Sequence, residues 1–129
     1  MKRVLFFVVL FFFAMAAHAQ KYTFSKGNVA PGAIKSAAAY EDFIGGSIRV
    51  SDNAGDYTFV SAQFTLASKS SKPISFTITS DRFPENEIGN IARASSAGAI
   101  YTFTKIIVKD QAGKQIELPE VRFEFGGFR

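Results

Sequence analysis

Imidazole and thiolate groups carry most of the proton transfer, nucleophilic attack and transition-metal binding that proteins perform. This chain of 129 residues has one His and no Cys. The histidine, His18, sits in the small-residue stretch Ala17-His18-Ala19 at the end of an N-terminal leader, as do both methionines, Met1 and Met15. Beyond residue 19 the chain has no His, Cys, Met or Trp. Ser-His-Asp and Cys-His catalysis, zinc or copper centres built on His and Cys, and disulfides are therefore excluded once the leader is removed.

What remains is carboxylate, amide, hydroxyl and amine chemistry. Asp52-Asn53-Ala54-Gly55-Asp56 gathers oxygen donors of the kind calcium takes. Its spacing lacks the Asp-x-Asp-x-Asp-Gly pattern and the distant Glu, so it reads as a polar turn and no metal site is expected. Glu85 and Glu87 have the types of a catalytic carboxylate pair, yet acids at a helix start are what the helix dipole favours. Lys69 and Lys72 lie among serines without a Ser-x-x-Lys, and Gly45-Gly46 and Gly126-Gly127 lack any phosphate-cradling pattern. These read as a solvated loop and as strand ends. No cofactor is implied.

The aromatics offer binding rather than reaction. Tyr22, Tyr40, Tyr57 and Tyr101 would make a platform for a glycan or a peptide if two or more shared a surface. Phe128 and Arg129 follow the flexible pair Gly126-Gly127, which suits a partner contact at the tail. Open strand edges could bind a partner through main-chain groups alone, and that mode leaves no sequence signature.

The elements that must position these residues begin after the leader. Lys2 and Arg3 precede an apolar run from Val4 to Ala17, too short to span a bilayer, and then comes Ala17-His18-Ala19. Residues 1–19 read as a secretory signal peptide, and 20–129 as a single domain with no membrane insertion after cleavage. Loss of Lys2 and Arg3 lowers the formal net charge from +4 to +2, which removes the main support for a nucleic-acid role. The expected address is periplasmic, cell-surface or extracellular.

Lys21 to Lys26 is a short β-prone start, and Gly27 to Ala39 is an irregular connection with a short helix at 34–40 as the other reading. A strand over 47–51 ends in the turn 52–55. From Tyr57 the period is 2, with Thr58, Val60, Ala62, Phe64 and Leu66 on one face and Tyr57, Phe59, Ser61, Gln63 and Thr65 on the other. Pro73 opens a second strand through Ile74, Phe76 and Ile78, forming an antiparallel hairpin with the first. Between Arg82 and Ala97, Pro84, Glu85, Glu87 and the Ile88, Ile91, Ala92 spacing predict a helix. A strand over 99–109, a turn at Asp110-Gln111-Ala112-Gly113 and a last strand over 114–125 complete the chain, with Pro119 marking a bulge or an edge. The class expected is all-β with one short helix, arranged as an antiparallel immunoglobulin-like β-sandwich. Ten of the fifteen phenylalanines lie beyond the leader and supply its core.

Val60-Ser61-Ala62-Gln63-Phe64-Thr65-Leu66, then Glu87-Ile88-Gly89-Asn90-Ile91, then Gly98-Ala99-Ile100-Tyr101-Thr102-Phe103-Thr104-Lys105-Ile106 form an ordered series. Lys109 to Lys114 and Leu118-Pro119-Glu120-Val121-Arg122-Phe123 close it. Over 57–125 this series resembles the C-terminal domain of the gliding-motility protein GldM, a periplasmic component of the type IX secretion machinery of Bacteroidetes. The resemblance implies a Bacteroidetes-type source, an immunoglobulin-like sandwich, an envelope protein as partner and protein contact rather than catalysis. It carries over no functional residue. The reading is thus an exported, non-enzymatic interaction module, with a glycan- or peptide-binding module using exposed tyrosines as the alternative; a carboxylate hydrolase is the third class weighed.

Overall fold

Short runs that alternate apolar and polar residues dictate most of this fold, since a strand sends successive side chains to opposite faces. The computed structural model describes residues 22–69 and 71–127. The expected signal peptide over 1–19, and the tail residues Phe128 and Arg129, lie outside them. The strands are β1 (Thr23–Lys26), β2 (Gly32–Ile34), β3 (Ile48–Asp52), β4 (Gly55–Ala67), β5 (Ile74–Ile78), β6 (Ile100–Lys109), β7 (Gln115–Leu118) and β8 (Val121–Phe125). Two helices, α1 (Ala37–Gly45) and α2 (Glu85–Ala94), interrupt them. The chain is thus mostly β, with two helices where one was expected. Among the described residues no helix is long and apolar enough to cross a membrane.

All eight strands join one curled sheet in which β4 and β6 are the long central pair. One half of β4 pairs with β3, and its other half pairs with β5. Likewise β6 pairs with β8 near its start and with β7 near its end. β1 extends the sheet beyond β3, and β2 extends it beyond β8. Every pairing is antiparallel except β2 with β8, which is parallel. That exception corrects the all-antiparallel expectation: nearly the whole domain separates the two strands, so no tight turn constrains their direction.

The curl has a local cause. Register shifts lie between Phe59 and Ser61 and between Ser61 and Gln63. Opposite them, Lys105 adopts φ 50°, a left-handed conformation that is uncommon outside glycine. The face presented inward changes there: Tyr101 and Phe103 are buried before the bulge, Ile106 and Val108 after it. In β4, Ala62, Phe64 and Leu66 are buried, whereas Tyr57 and Phe59, not Thr58, pack against the core on the other side. The single period expected from Tyr57 to Leu66 is corrected accordingly. A bulge adds one residue to one strand, which reverses the alternation.

Helix α1 begins where the Ser36 side chain accepts a hydrogen bond from the Ala39 N–H at 3.1 Å, and it buries Tyr40, Phe43 and Ile44. It overlaps the expected 34–40 stretch at 37–40 but starts three residues later and runs on to Gly45, because Gly32–Ile34 joins the sheet instead. Pro84 is the N-cap residue of α2 rather than its first helical residue, Glu85 and Glu87 occupy the first turn and Arg93 the last, each complementing the helix dipole. Pro119 divides the last predicted strand into β7 and β8, since proline cannot donate to a ladder. The core is strongly aromatic: Phe43 lies 4.7 Å from Phe123 between ring centroids, and Phe64 lies 4.8 Å from Phe83 and 5.2 Å from Phe103.

Candidate functional site

The four tyrosines fall into two pairs. Tyr40 and Tyr101 are 7% and 0% exposed. Their hydroxyls donate to Ser95 Oγ at 3.3 and 2.7 Å, and Ser95 in turn donates to the Ile91 carbonyl at 2.7 Å. This network ties α1, β6 and the end of α2 together inside the protein. Burial, with Tyr40 nearby, pushes the Tyr101 phenol above its ordinary range while its bond to Ser95 acts the other way. Of the four, Tyr40 and Tyr101 thus lie in the core, because the inner faces of α1 and β6 take them there. Tyr22 and Tyr57 do share a surface: both are half-buried, edge to face at 5.0 Å.

Tyr57 also organises the loop at Asp52. Its hydroxyl donates to Asp52 Oδ2 at 2.6 Å, and Asp52 Oδ1 accepts from the Ala54 and Gly55 N–H groups at 2.8 and 3.2 Å. Desolvation, and then the bond to Asp52, holds the Tyr57 phenol well above its usual range. Both carboxylate oxygens thus serve the turn, as its polar residues suggested. Among the described residues no group of three or more His, Asp and Glu side chains could hold a metal ion. Glu87 accepts from Asn90 Nδ2 at 3.0 Å on the surface of α2, and Glu85 is exposed beside it.

The most unusual side chain is one the sequence reading passed over. Lys26 is 0% exposed, and its ammonium donates to the carbonyls of Gly46 at 2.6 Å, Phe43 at 2.8 Å and Ile44 at 3.5 Å. It lies 4.0 Å from the centre of the Phe83 ring. The last turn of α1 has no basic residue of its own. Lys26 supplies the missing cation from β1, satisfying carbonyls that end the helix and meeting its negative pole. Burial, then the charge of Arg82, pulls its pKa down from 10.5 to about 7, while Asp81 and Asp42 oppose the shift. With its donors directed at three carbonyls and its stem enclosed, Lys26 is a structural cap and is inaccessible to substrate. The signal that could have found it is parity, since Phe24 and Lys26 share the inner face of a strand.

A further open surface runs along the β5 edge. β5 pairs with β4 and with no other strand among the described residues. Ala62, Phe64 and Leu66 of β4 are fully covered, but Ile74 and Phe76 on the same inner face of β5 are only half-buried. Phe76 meets Phe64 at 5.2 Å and Phe83 at 6.2 Å on one side and is open on the other. Ile74–Ile78 contains no charge, proline or bulge, the devices that usually blunt an edge. Its outer face is polar, with Gln63 Nε2 donating to Ser75 Oγ at 2.8 Å and Thr77 Oγ1 donating to Gln63 Oε1 at 2.9 Å.

At the Ile74 end of this edge, a cleft of about 330 Å³ opens toward the last turns of α2. Ile74 and Ala94 give it an apolar floor, and Ser71, Lys72, Asn90 and Arg93 line it with polar groups. The Arg93 guanidinium donates to Asn90 Oδ1, and through Asn90 it is linked to Glu87. The arrangement can pair a strand, cover its side chains and meet an anion. Sequence reasoning placed the hairpin and the helix but had no means to see that they enclose a cleft. Compared with protein-family models and with curated protein sequences, the chain matches none.

Proposed function

We propose that this protein is an exported, non-enzymatic interaction module that holds another protein of the cell envelope by strand addition at β5. One observation carries the reading: the inner row of side chains, closed over Ala62, Phe64 and Leu66 of β4 and over Tyr101 and Phe103 of β6, is left half-covered at Ile74 and Phe76. A strand laid along β5 would pair its main chain and place its own alternate side chains over those two. The proposal includes a relation of residues 57–125 to the GldM C-terminal domain, and of the curled sheet to the immunoglobulin-like sandwich, with an address in the periplasm or at the cell surface. The leader read over 1–19 supports export.

The test is affinity capture from envelope extracts of the source organism, using the exported protein, with Phe76→Lys and Ser75→Lys variants in parallel. An envelope protein retained by the parent and lost with both variants, whose circular dichroism is unchanged, is the expected result. Retention undiminished by both substitutions contradicts strand addition at β5. A second reading rests on the half-buried Tyr22–Tyr57 pair, which could stack against a sugar ring or a peptide side chain. Saturable binding on a glycan array that Tyr57→Ala removes and Phe76→Lys does not would favour it.

A further inference from the structure

We infer that the cleft at the Ile74 end of β5 receives the free C-terminal carboxylate of the partner segment, an extended peptide running antiparallel to β5. The inference rests on the strand-addition reading and specifies its ligand. Direction comes first. A strand antiparallel to β5 runs from the Ile78 end toward Ile74, so its own C-terminus arrives at the cleft. A parallel strand would bring its N-terminus there instead.

Charge then separates the two. Among the described residues Lys72 and Arg93 line the cleft and no carboxylate does; Glu87 reaches it only through Asn90. An arriving α-amino group would be repelled by both cations, whereas a carboxylate meets an ammonium and a guanidinium with donors to spare. One N–H of the Arg93 guanidinium donates to Asn90 Oδ1, and both residues line the cleft. The carbonyls that end α2 would oppose an anion, but two of them are already engaged: Ser95 N–H donates to the Ala92 carbonyl and Ser95 Oγ to that of Ile91. Finally, the floor of Ile74 and Ala94 is apolar, so the last side chain of the peptide is a small or medium hydrophobic one.

The probe is an array of hexapeptides, anchored at their N-termini, with alternating apolar and polar residues and a last residue varied among Val, Leu, Ile, Phe, Asp and Lys. Each is made as the free acid and as the amide. Free acids with an apolar last residue are expected to bind saturably, and their amides at least tenfold more weakly. Lys72→Gln with Arg93→Gln is expected to reproduce the amide affinity with free acids, and Phe76→Lys to abolish binding of both forms. Equal binding of acids and amides, or no effect of the double substitution, overturns the inference. If Phe76→Lys still abolishes binding in that case, strand addition stands and carboxylate capture alone falls. Amides ending in Asp that bind as tightly as free acids overturn it in favour of an internal acidic side chain. Absence of binding by any member overturns it too, and the envelope capture with Phe76→Lys then judges the parent reading separately.

Discussion

Lys26 couples the stability of this protein to pH through one buried side chain. A lysine that unfolds into water keeps its proton up to about 10.5, while the folded site releases it at about 7. Below pH 7 both states carry the proton and the contribution of this group is constant. Between about 7 and 10.5 the unfolded chain binds more protons, so stability rises with pH across that window. Urea unfolding at pH 6 and pH 9.5 should differ by about 3 kcal/mol in favour of the higher pH, from the linkage of one such group. The same comparison for Lys26→Met should lose that rise, and a parallel rise in the variant would contradict the assignment. A second residue-scale expectation concerns Ser95. Ser95→Ala leaves the buried Tyr101 hydroxyl without its acceptor and should cost about 1 to 3 kcal/mol by denaturant unfolding, more than Tyr101→Phe, which removes the hydroxyl with its need. Neither feature was legible in the sequence beyond strand parity. A buried lysine depends on three carbonyls some twenty residues away, and no local pattern encodes that encounter.

The helices and strands were legible where their own residues decide them. Pro84, Glu85 and Glu87 announced α2, and Pro73 with the alternating Ile74, Phe76 and Ile78 announced β5, because capping, dipole and period act within a few residues. The bulge across β4 and β6 escaped, since Val60 and Lys105 carry no special chemistry and the shift arises from how the long strands share four partners. Lys105 holds its left-handed φ in the strand where glycine would be at ease. Lys105→Gly should therefore be neutral or stabilising by up to about 1 kcal/mol, and Lys105→Val should destabilise by about 1 to 2 kcal/mol. Thermal unfolding of the pair measures this, and equal effects would contradict a strained bulge. The crossing of β1 with the end of α1 is another element-scale constraint. A Cβ on Gly46 would overlap the backbone of Gly27 and the carbonyl of Asp42. Gly46→Ala should accordingly cost more than about 2 kcal/mol and loosen the carbonyl cradle around Lys26.

At the scale of the whole molecule, the curled sheet closes an aromatic core without any disulfide, and it leaves an apolar row half-covered at the β5 edge. Central strands exhaust their hydrogen bonds and their apolar rows on each other; β5 does neither on its outer side. The candidate tyrosines were the visible part of the sequence, yet two of them went inward to serve packing. The edge was invisible, because β5, like β1, β2 and β7, has one neighbour only, and what sets it apart is that Ile74 and Phe76 stay half-covered there, which depends on the packing of distant elements. The proposed strand addition stands on that edge, and amide hydrogen exchange of the protein, alone and with an envelope protein that it retains, tests it most directly. The expected result is that outward-facing amides within Ile74–Ile78 exchange rapidly in the free protein and become protected in the complex, with Thr23–Lys26 and Gly32–Ile34 unchanged. Protection appearing at β1 or β2 while β5 exchanges as before would contradict it.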